Sequence, residues 1–384
     1  MTSTQPTQAK GLEGVVVANS SLSLVEGTEG RLSYRGYSID DLATHSSFEE
    51  VVYLLWNGHL PTKAQFQDFE ARLAEACPLP DGALRILHDL PHTGDPIDAM
   101  RTIVSALAMF DSGRSDLSAP AVEDMAICMI SRMPVILTSY DRLRHGHEPI
   151  PPHPELGIAA NLLYMLSGEK PSEAAAKAMD AYLILLAEHS LNASTFAARV
   201  AISTLSDNYA AITAALATLK GVLHGGANQK AMEMLQEIGE ADNVPAFVDD
   251  AVAIKRRLMG MGHRIYKARD PRAAVLAVHS QRLVEATGEP RWHDVADRLD
   301  GISRTHNYFS ERKLYPNVEF YSAPVLYMLG FAPDLMPAVF ACSRVVGWTA
   351  HIIEQLADNR LIRPNADYIG PPPPQPWIPI EQRG

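Results

Sequence analysis

The sequence predicts an all-α protein with a small amount of β structure near its N-terminus. Apolar residues recur at helical spacing along most of the chain after residue 46, which is typical of amphipathic and buried helices. Boundary signals accompany this spacing: residues 46–50 offer a capping box, and Gly58 with Pro61 ends the apolar run that follows. Strand signals are confined to the N-terminal segment. Periodicity, helix caps and the scarcity of strand signals together predict the fold class.

Taken in order, the elements begin with two short strands at residues 15–23 and 31–34, which flank a turn-rich connector. Helical patterns then cover residues 51–56, 62–76, 96–110, 119–143, 155–166, 172–187, 193–205, 210–220, 229–238 and 333–356. The chain closes with a proline-rich stretch, 370–380, in which proline forbids a helix and favours polyproline II. Because Trp377 favours burial, we expect an arm packed on this subunit or on a partner; a disordered tail is the alternative.

The composition argues against several classes of protein. A formal net charge of −12 over 384 residues disfavours a general nucleic-acid surface. The apolar runs are too short to span a bilayer, and residues 1–10 have neither signal-peptide nor transit-peptide features. The three cysteines are widely separated, which disfavours a disulfide framework or a zinc site. We expect a cytoplasmic protein that binds neither nucleic acid nor membrane.

His145, His147 and His153 are the candidates that a metal site would use. They lie in residues 145–154, which carry four prolines and are typical of a surface loop between helices. Without cysteine ligands or a rigid scaffold, a solvated loop is favoured over a metal site. The sequence therefore predicts no metal.

The segment 221–228, with sequence GVLHGGAN, interrupts two helical patterns near the middle of the chain. Its paired glycines allow a tight bend, and the bend holds His224 close to a helix N-terminus. The positive end of the helix dipole disfavours imidazolium, so the ring stays a neutral N–H donor at pH 7. Such a donor suits a carbonyl oxygen that is becoming an enolate; a helix-capping histidine beside packing glycines is the alternative.

Two downstream segments favour the catalytic interpretation. His263 follows two alternating glycines in 260–267, and an Asp-Pro-Arg sequence ending at Arg272 comes soon after. Glu319 lies among apolar and aromatic residues, where desolvation should raise the pKa of its carboxyl group. Two histidines and a shielded carboxylate form an acid/base set.

At these three places the sequence resembles the citrate synthase family. The matching segments read HGGAN at 224–228, GMGHRIYKARDPR at 260–272 and YPNVEFYS at 315–322. Further matches cover residues 11–43, 188–200 and 343–355. Because the segments keep the family's order over nearly the whole chain, coincidence is a poor explanation.

The resemblance implies an acyltransferase that condenses acetyl-CoA with oxaloacetate and hydrolyses the product to citrate and free CoA. The coenzyme A thioester would be a co-substrate, with no permanently bound cofactor. Glu319 would remove a proton from the acetyl methyl group, and His224 would donate to the thioester oxygen. His263 would polarise the oxaloacetate carbonyl and protonate the new alkoxide.

The resemblance also implies which residues bind the two substrates. His189, Arg272, Arg344 and Arg363 match the family's oxaloacetate ligands, and Arg363 resembles one that the partner subunit donates. Independently of the family, residues 255–272 carry seven cations, which favours an anion-binding wall over a solvated face. Candidate ligands for the coenzyme A phosphates are Lys255, Lys267 and Lys313, because phosphates on a flexible ligand tolerate the point charge of lysine.

The family's architecture implies two helical domains. The large domain would comprise residues 1–225 and 331–384, and a smaller inserted domain would span 226–330. In the family's homodimer the active site lies between these domains, with a contribution from the neighbouring subunit. We expect the same arrangement and a cleft that closes to exclude water.

One residue departs from the family pattern: the usual residue at position 319 is aspartate, whereas this chain has glutamate. The added methylene shifts the base, and this puts rate and substrate preference in doubt more than reaction class. A 2-methylcitrate synthase acting on propionyl-CoA is the nearest alternative, since one methylene discriminates weakly. A lyase that cleaves citrate usually needs extra domains to activate citrate, which disfavours this alternative. A non-catalytic helical dimer that binds coenzyme A is the most distant alternative.

Overall fold

The computed structural model describes residues 10–383, and α-helices dominate this part of the chain. The helices are α1 Ile39–His45, α2 Phe48–Asn57, α3 Lys63–Ala76, α4 Asp81–Asp89, α5 Pro96–Leu107, α6 Ala119–Arg144, α7 Ile158–Ser167, α8 Glu173–Leu186, α9 Ala193–Ser203, α10 Asn208–Leu219, α11 Ala227–Ile238, α12 Val244–Ala253, α13 Pro271–Thr287, α14 Arg291–Thr305, α15 Asn307–Arg312, α16 Val318–Met328 and α17 Met336–Ala357. The strands are β1 Ser23–Glu26, β2 Arg31–Tyr34 and β3 Tyr37–Ser38. The predicted all-α class with minor β structure is confirmed.

Local sequence explains most of the helix boundaries. Helix α2 begins with the predicted capping box, in which Ser47 and Glu50 satisfy each other's backbone N–H groups, and it ends at Gly58 in the left-handed conformation. Helix α6 runs through Pro134 and is buried along most of its length. The caps at the two ends of α2 satisfy N–H and C=O groups that a helix terminus otherwise leaves without partners.

The prediction of a strand at residues 15–23 is wrong except at its last residue. The three strands form one antiparallel sheet in the order β1-β2-β3, with Ser23 opposite Tyr34. Val16 precedes the sheet and is 85% exposed. Because Val16 lies outside the sheet, its β-branched side chain has no adjacent strand to pack against.

The hairpin between β1 and β2 packs against the segment that follows His263. The backbone N–H of Lys267 donates to the Gly27 carbonyl oxygen at 2.8 Å. A Cβ atom on Gly27 would lie 2.4 Å from the Ile265 carbonyl oxygen, so only glycine fits there. The small sheet therefore supports a segment that carries candidate catalytic residues.

Helix α17 forms the centre of the core and packs on α2, α6, α8, α9 and α10. The stretch Pro333–Ala357 is long and apolar enough to cross a membrane, but 94% of its apolar window is buried inside the fold. This burial is typical of a core helix.

Helices α11, α13, α14 and α16 pack on one another, and α13 also packs on α1 and α8. The segment 226–330 thus has packing partners of its own and a contact surface on the rest of the chain.

Candidate active site

His224 lies in the bend between α10 and α11, and its ring contacts the N-terminus of a different helix, α9. Its Nε2 atom accepts a hydrogen bond from the Ser194 backbone N–H at 3.3 Å and lies 2.8 Å from Ser194 Oγ. Because Nε2 accepts, the proton of the neutral ring is on Nδ1. The predicted helix-terminus environment is present, but α9 provides it rather than the helix that follows His224 in sequence.

Burial, followed by the positive charge of Arg344, lowers the pKa of His224 to about 4. Both effects disfavour the imidazolium form. His224 is therefore a neutral donor through Nδ1 at physiological pH.

His263 is held in the opposite tautomer. Its Nδ1 atom accepts hydrogen bonds from the backbone N–H groups of Ile265 and Tyr266, both at 3.1 Å. The proton is therefore on Nε2, which leaves that atom as the donor. Burial and the charge of Arg272 lower the pKa of His263 to about 4, although Asp270 opposes this shift.

The segment around His263 is joined to the segment that precedes Glu319. The Gly262 N–H donates to the Tyr315 carbonyl at 2.7 Å, and the Asn317 N–H donates to the Gly260 carbonyl at 2.9 Å. The Asn317 side-chain amide donates to the Gly262 carbonyl, also at 2.9 Å. Two of the three recognised motifs thus form one hydrogen-bonded unit.

Glu319 occupies the first turn of α16, and Asn317 caps that helix by accepting from the Glu319 N–H at 3.1 Å. The Oε2 atom of Glu319 is buried and has no hydrogen-bond partner among residues 10–383. Burial raises the pKa of the Glu319 carboxyl group, and the nearby charge of Arg272 partly offsets this. A shielded carboxylate with one unpaired oxygen is suited to proton abstraction.

Arg272 begins α13 and is almost completely buried. Its Nε and Nη2 atoms donate to the two carboxylate oxygens of Asp270 at 3.0 and 2.8 Å. Asp270 also accepts from the Val318 N–H at 3.2 Å, which ties the arginine to the start of α16. This bidentate pair fixes the guanidinium plane.

Arg344 is a buried cation that forms no direct ion pair in the described part of the chain, although the nearby charge of Glu188 raises its pKa. It is 2% exposed; its Nε atom donates to the Leu186 carbonyl at 2.6 Å, and its guanidinium lies 4.7 Å from the Phe340 ring centroid. Burial lowers the pKa of Arg344 to about 10, so the group is still charged at pH 7. A buried guanidinium without a direct ion pair is costly, which favours an anionic ligand beside it.

His189 lies between α8 and α9 beside the same arginines. Its Nε2 atom is 3.3 Å from Tyr266 Oη, and its ring centroid is 5.6 Å from that of His263. Burial lowers the pKa of His189 well below its ordinary value, and the charges of Arg272 and Arg344 act in the same direction. The structure therefore brings three of the four predicted oxaloacetate ligands close to His263.

The fourth, Arg363, is exposed in the extended segment after α17. It has no hydrogen bond or ion pair within residues 10–383. The expectation that a partner subunit's site receives this residue stays a prediction.

A cavity of about 460 Å³ lies next to His263, and cations surround it. Its lining includes Lys255, Arg256, Arg257, Arg264, Tyr308 and Phe309. Of the lysines predicted to bind coenzyme A phosphates, Lys255 lines this cavity. Lys267 instead donates from Nζ to the Arg264 carbonyl at 3.0 Å, and Lys313 is an exposed left-handed cap at the end of α15.

Sequence reasoning missed several residues that shape the site. Ser194 holds His224, Tyr266 contacts both His189 and His263, and Asp270 orients Arg272. The signal for Ser194 was present, because Asn192 marks a helix N-cap and the next N–H groups point out of that terminus.

A protein-family model described as the C-terminal domain of citrate synthase matches residues 11–365. The chain belongs to the citrate synthase family. Citrate synthase 2 of Bacillus subtilis is 44% identical over 378 residues, which are 98% of this chain and 100% of the relative. The 2-methylcitrate synthase of Mycobacterium tuberculosis is 39% identical over 366 residues, which are 95% of this chain and 91% of the relative.

Solved structures of citrate synthases have the same fold. That of Pyrobaculum aerophilum is 39% identical, has a TM-score of 0.91, and matches 97% of this chain and 95% of its own. The enzyme of Thermoplasma acidophilum, solved with carboxymethyl coenzyme A and oxaloacetate, is 35% identical with a TM-score of 0.90. That match covers 97% of this chain and 99% of the solved one. The predicted family is confirmed, and with it the prediction of an acyltransferase of the citrate synthase type.

Proposed function

We propose that this member of the citrate synthase family condenses acetyl-CoA with oxaloacetate and releases citrate and free CoA. One observation carries the proposal: backbone donors hold His224 and His263 as neutral imidazoles of opposite tautomers, and Glu319 is a buried carboxylate in the segment that is hydrogen-bonded to that of His263. Condensation of a thioester with a ketone needs one hydrogen-bond donor for each of two carbonyl oxygens, and one base. The two histidines and the carboxylate supply these three groups.

In the proposed mechanism, Arg272 and Arg344 bind the carboxylates of oxaloacetate. Arg344 supplies a buried charge that lacks a direct ion pair, and Arg272 supplies a guanidinium that Asp270 already orients. His189 completes this set, and Arg363 of the partner subunit would contribute a further guanidinium. Fixing the electrophile in this way converts a collision into an oriented encounter.

Glu319 then removes a proton from the acetyl methyl group while His224 Nδ1–H donates to the thioester oxygen. A neutral imidazole is a suitable donor here because its N–H can hydrogen-bond to the oxygen of the developing enolate. Burial that raises the pKa of Glu319 also makes it a stronger base toward carbon.

The enolate carbon next attacks the oxaloacetate carbonyl carbon, and a carbon–carbon bond forms. The carbonyl electron pair moves onto oxygen, which takes a proton from His263 Nε2. The proton that Glu319 removed from the methyl group then returns His263 to its neutral form and Glu319 to its carboxylate. Water then cleaves the thioester of the condensed product and releases citrate and the CoA thiol.

We further propose that the cation-lined cavity beside His263 receives the nucleotide end of coenzyme A. Tyr308 and Phe309 offer aromatic faces, and Lys255 offers a charge for phosphate. Lys267 and Lys313 are proposed as outer phosphate contacts, with lower priority because neither lines the cavity.

The two-domain division is part of the same proposal. Residues 226–330 would move as a unit against residues 1–225 and 331–384, and closure would exclude water from the enolate. The enzyme would act as a homodimer in the cytoplasm, in which Arg363 of each subunit reaches the site of its partner.

The second candidate function is that of a 2-methylcitrate synthase, because a relative of that name covers nearly the whole chain. Citrate is favoured because the relatives named citrate synthase from Bacillus subtilis and Haloferax volcanii are both 44% identical, compared with 39% for that relative. Because this chain has glutamate at 319, where the family usually has aspartate, the preference between acetyl-CoA and propionyl-CoA is decided by experiment.

The test is thiol release from acetyl-CoA and from propionyl-CoA, each with and without oxaloacetate. We expect release that depends on oxaloacetate and is faster with acetyl-CoA. Glu319→Gln should lower kcat by about 10²–10⁴-fold, the usual contribution of a positioned base, because the amide cannot accept the methyl proton.

Each other outcome has a specific meaning. Faster release with propionyl-CoA would assign the second candidate function. Folded protein without release from either thioester would refute both and favour a binding protein, which calorimetry with CoA would then test. Full activity in Glu319→Gln would refute the role of Glu319.

A further inference from the structure

The hydroxyl group of Ser23, on strand β1, contacts the residues on both sides of His189. Its Oγ atom donates to Glu188 Oε1 at 3.0 Å and accepts from the Ser190 backbone N–H at 3.1 Å. A hydroxyl group has one proton and two acceptor positions, so both bonds form together. Ser23 therefore bridges the two neighbours of a predicted oxaloacetate ligand.

The carboxylate of Glu188 is held from a second direction. It is completely buried, and its Oε1 atom also accepts from His351 Nε2 at 3.1 Å. The proton of the neutral His351 ring is on Nε2, because Nδ1 faces the Arg199 guanidinium at 3.0 Å and that group only donates. One end of the Ser23 bridge is thus a fixed acceptor.

Tyr34, which lies opposite Ser23 in the sheet, holds the backbone before His189. Its Oη atom accepts from the Glu188 N–H at 3.2 Å and lies 2.9 Å from the Glu188 carbonyl oxygen. The backbone after His189 is held differently: in the described part of the chain, the Ser190 N–H has Ser23 Oγ as its partner. Removal of the Ser23 hydroxyl group would therefore release Ser190 rather than Glu188.

Ser190 has a backbone conformation that serine rarely adopts. Its φ is 52°, in the left-handed region that is costly for residues other than glycine. Its carbonyl oxygen accepts from the backbone and side-chain N–H groups of Asn192, which belong to the same turn. The bond from Ser23 reaches this turn from another element and stabilises its strained residue.

The same hairpin fixes the segment on the other side of the His189 ring. The Gly27 carbonyl oxygen, between β1 and β2, accepts from the Lys267 N–H at 2.8 Å. Tyr266 precedes Lys267, and its Oη atom is 3.3 Å from His189 Nε2. A change of φ at Ser190 would move His189 relative to this neighbour.

We propose that Ser23 is a positioning residue, which keeps Ser190 left-handed and thereby holds His189 in position for oxaloacetate. The inference rests on the proposed function, in which His189 binds this substrate. Without the Ser23 hydroxyl group, Ser190 relaxes to a negative φ in most molecules. The apparent affinity for oxaloacetate then falls by the fraction of molecules that keep the binding conformation.

The first measurement is the Kd for oxaloacetate, determined by calorimetry without acetyl-CoA. We expect Ser23→Ala to raise this Kd about tenfold, because the left-handed conformation is disfavoured by about that factor in a residue with a Cβ atom. Ser33→Ala is the matched control. Ser33 lies on β2, and its side chain has no hydrogen bond in the described part of the chain, so the Kd should equal that of the wild type.

The double variant Ser23→Ala/Ser190→Gly separates positioning from a general structural defect. Glycine adopts positive and negative φ about equally, so about half of the molecules keep the binding conformation. We expect a Kd within about threefold of the wild type, although this variant lacks more atoms than Ser23→Ala. Since glycine at 190 returns no donor to Glu188, this recovery assigns the effect to the backbone of residue 190.

Kinetics and NMR provide two further readouts. At saturating oxaloacetate, the KM of Ser23→Ala for acetyl-CoA should change less than twofold, because His224 and Glu319 are untouched. In protein labelled with ¹⁵N at histidine, the His189 ring signals are assigned by their loss in His189→Gln. Without any ligand, these signals should shift in Ser23→Ala and return in the double variant.

An unchanged Kd in Ser23→Ala, or a double variant that binds no better than Ser23→Ala, would overturn the proposal. If Ser23→Ala does not fold, Ser23→Cys decides instead, because a thiol keeps the shape and forms only weak hydrogen bonds. An unchanged Kd there would also refute the inference. Wild-type protein that does not bind oxaloacetate would refute the proposed function, while the NMR signals would still show whether Ser23 positions His189.

Discussion

His224 and His263 are both neutral, yet opposite ring nitrogens carry their protons. In each case backbone N–H groups occupy one nitrogen, from Ser194 for His224 and from Ile265 and Tyr266 for His263. Backbone donors cannot reverse their role, so each tautomer is built into the fold. The two remaining N–H groups are the ones that the proposed mechanism uses.

The pKa shifts at these residues predict the pH dependence of activity. Both histidines are active when neutral and have a pKa of about 4, whereas Glu319 is active when ionised and its pKa is raised above the ordinary 4.5. As pH falls, Glu319 is therefore protonated before either histidine. We expect the acid limb of kcat/KM to have a midpoint above pH 4.5 and a slope of one.

A pH–rate profile with acetyl-CoA and oxaloacetate checks this order. A limb of slope two would instead mean that a histidine titrates together with the carboxyl group. Absence of any limb above pH 4.5 would contradict the raised pKa of Glu319.

At the scale of elements, the segment with His263 and the start of α16 act as one unit because glycine lets them approach closely. Gly260 has a φ of 75°, and a Cβ atom there would lie 2.8 Å from Phe320 Cα. Both the backbone angle and the contact exclude larger residues. The glycine at 260 therefore allows the close approach of two candidate catalytic segments.

Gly260→Ala should lower the free energy of unfolding by about 1–3 kcal/mol, the usual cost of a strained backbone, and should greatly reduce kcat. Gly301→Ala is the matched control, since Gly301 lies inside α14 with open space around its Cα. That change should stabilise the protein by about 0.5–1 kcal/mol and leave kcat unchanged. Urea unfolding and thiol release measure both effects, and equal behaviour of the two variants would contradict this account.

How much the sequence predicted depends on how local each signal is. Helices with caps, such as α2 and α3, were predicted within a few residues because their boundary signals are adjacent in the chain. The strand predicted at 15–23 was wrong because β-branched residues indicate a strand only where another strand adjoins them. Sequence also suggested a helix terminus near His224, but only folding brings Ser194, thirty residues earlier, to that ring.

Local sequence patterns also did not predict which arginine forms an ion pair. The motif resemblance selected Arg272 and Arg344 together, yet Arg272 is paired with Asp270, whereas Arg344 forms no direct ion pair in residues 10–383. This difference arises from three-dimensional packing, in which α17 buries Arg344 against the carbonyl of Leu186.

At the scale of the whole molecule, the proposed shared site predicts complementation between two inactive variants. Glu319→Gln removes the base from its own site, whereas Arg363→Ala would remove a ligand from the partner's site. A mixed dimer would then have one doubly defective site and one intact site. We expect each variant alone to be nearly inactive and the co-expressed, co-purified mixture to recover oxaloacetate-dependent turnover.

Differently tagged subunits allow the mixed dimer to be isolated before the assay. No recovery in that dimer would mean that Arg363 acts in its own subunit or not at all. A matched mixture of wild type with Glu319→Gln gives the activity expected from a single intact site.

The buried charge of Arg344 also links the supply of metabolite to the lifetime of the protein. A ligand that binds only the folded chain stabilises it by an amount that rises with the logarithm of the ligand concentration. A carboxylate that binds beside Arg344 would meet a cation that is already desolvated. Since proteases remove chains mainly when they open, a cell rich in this ligand retains more of the enzyme. The arginine that we propose to orient oxaloacetate would therefore also make enzyme abundance respond to substrate, without any change in gene expression.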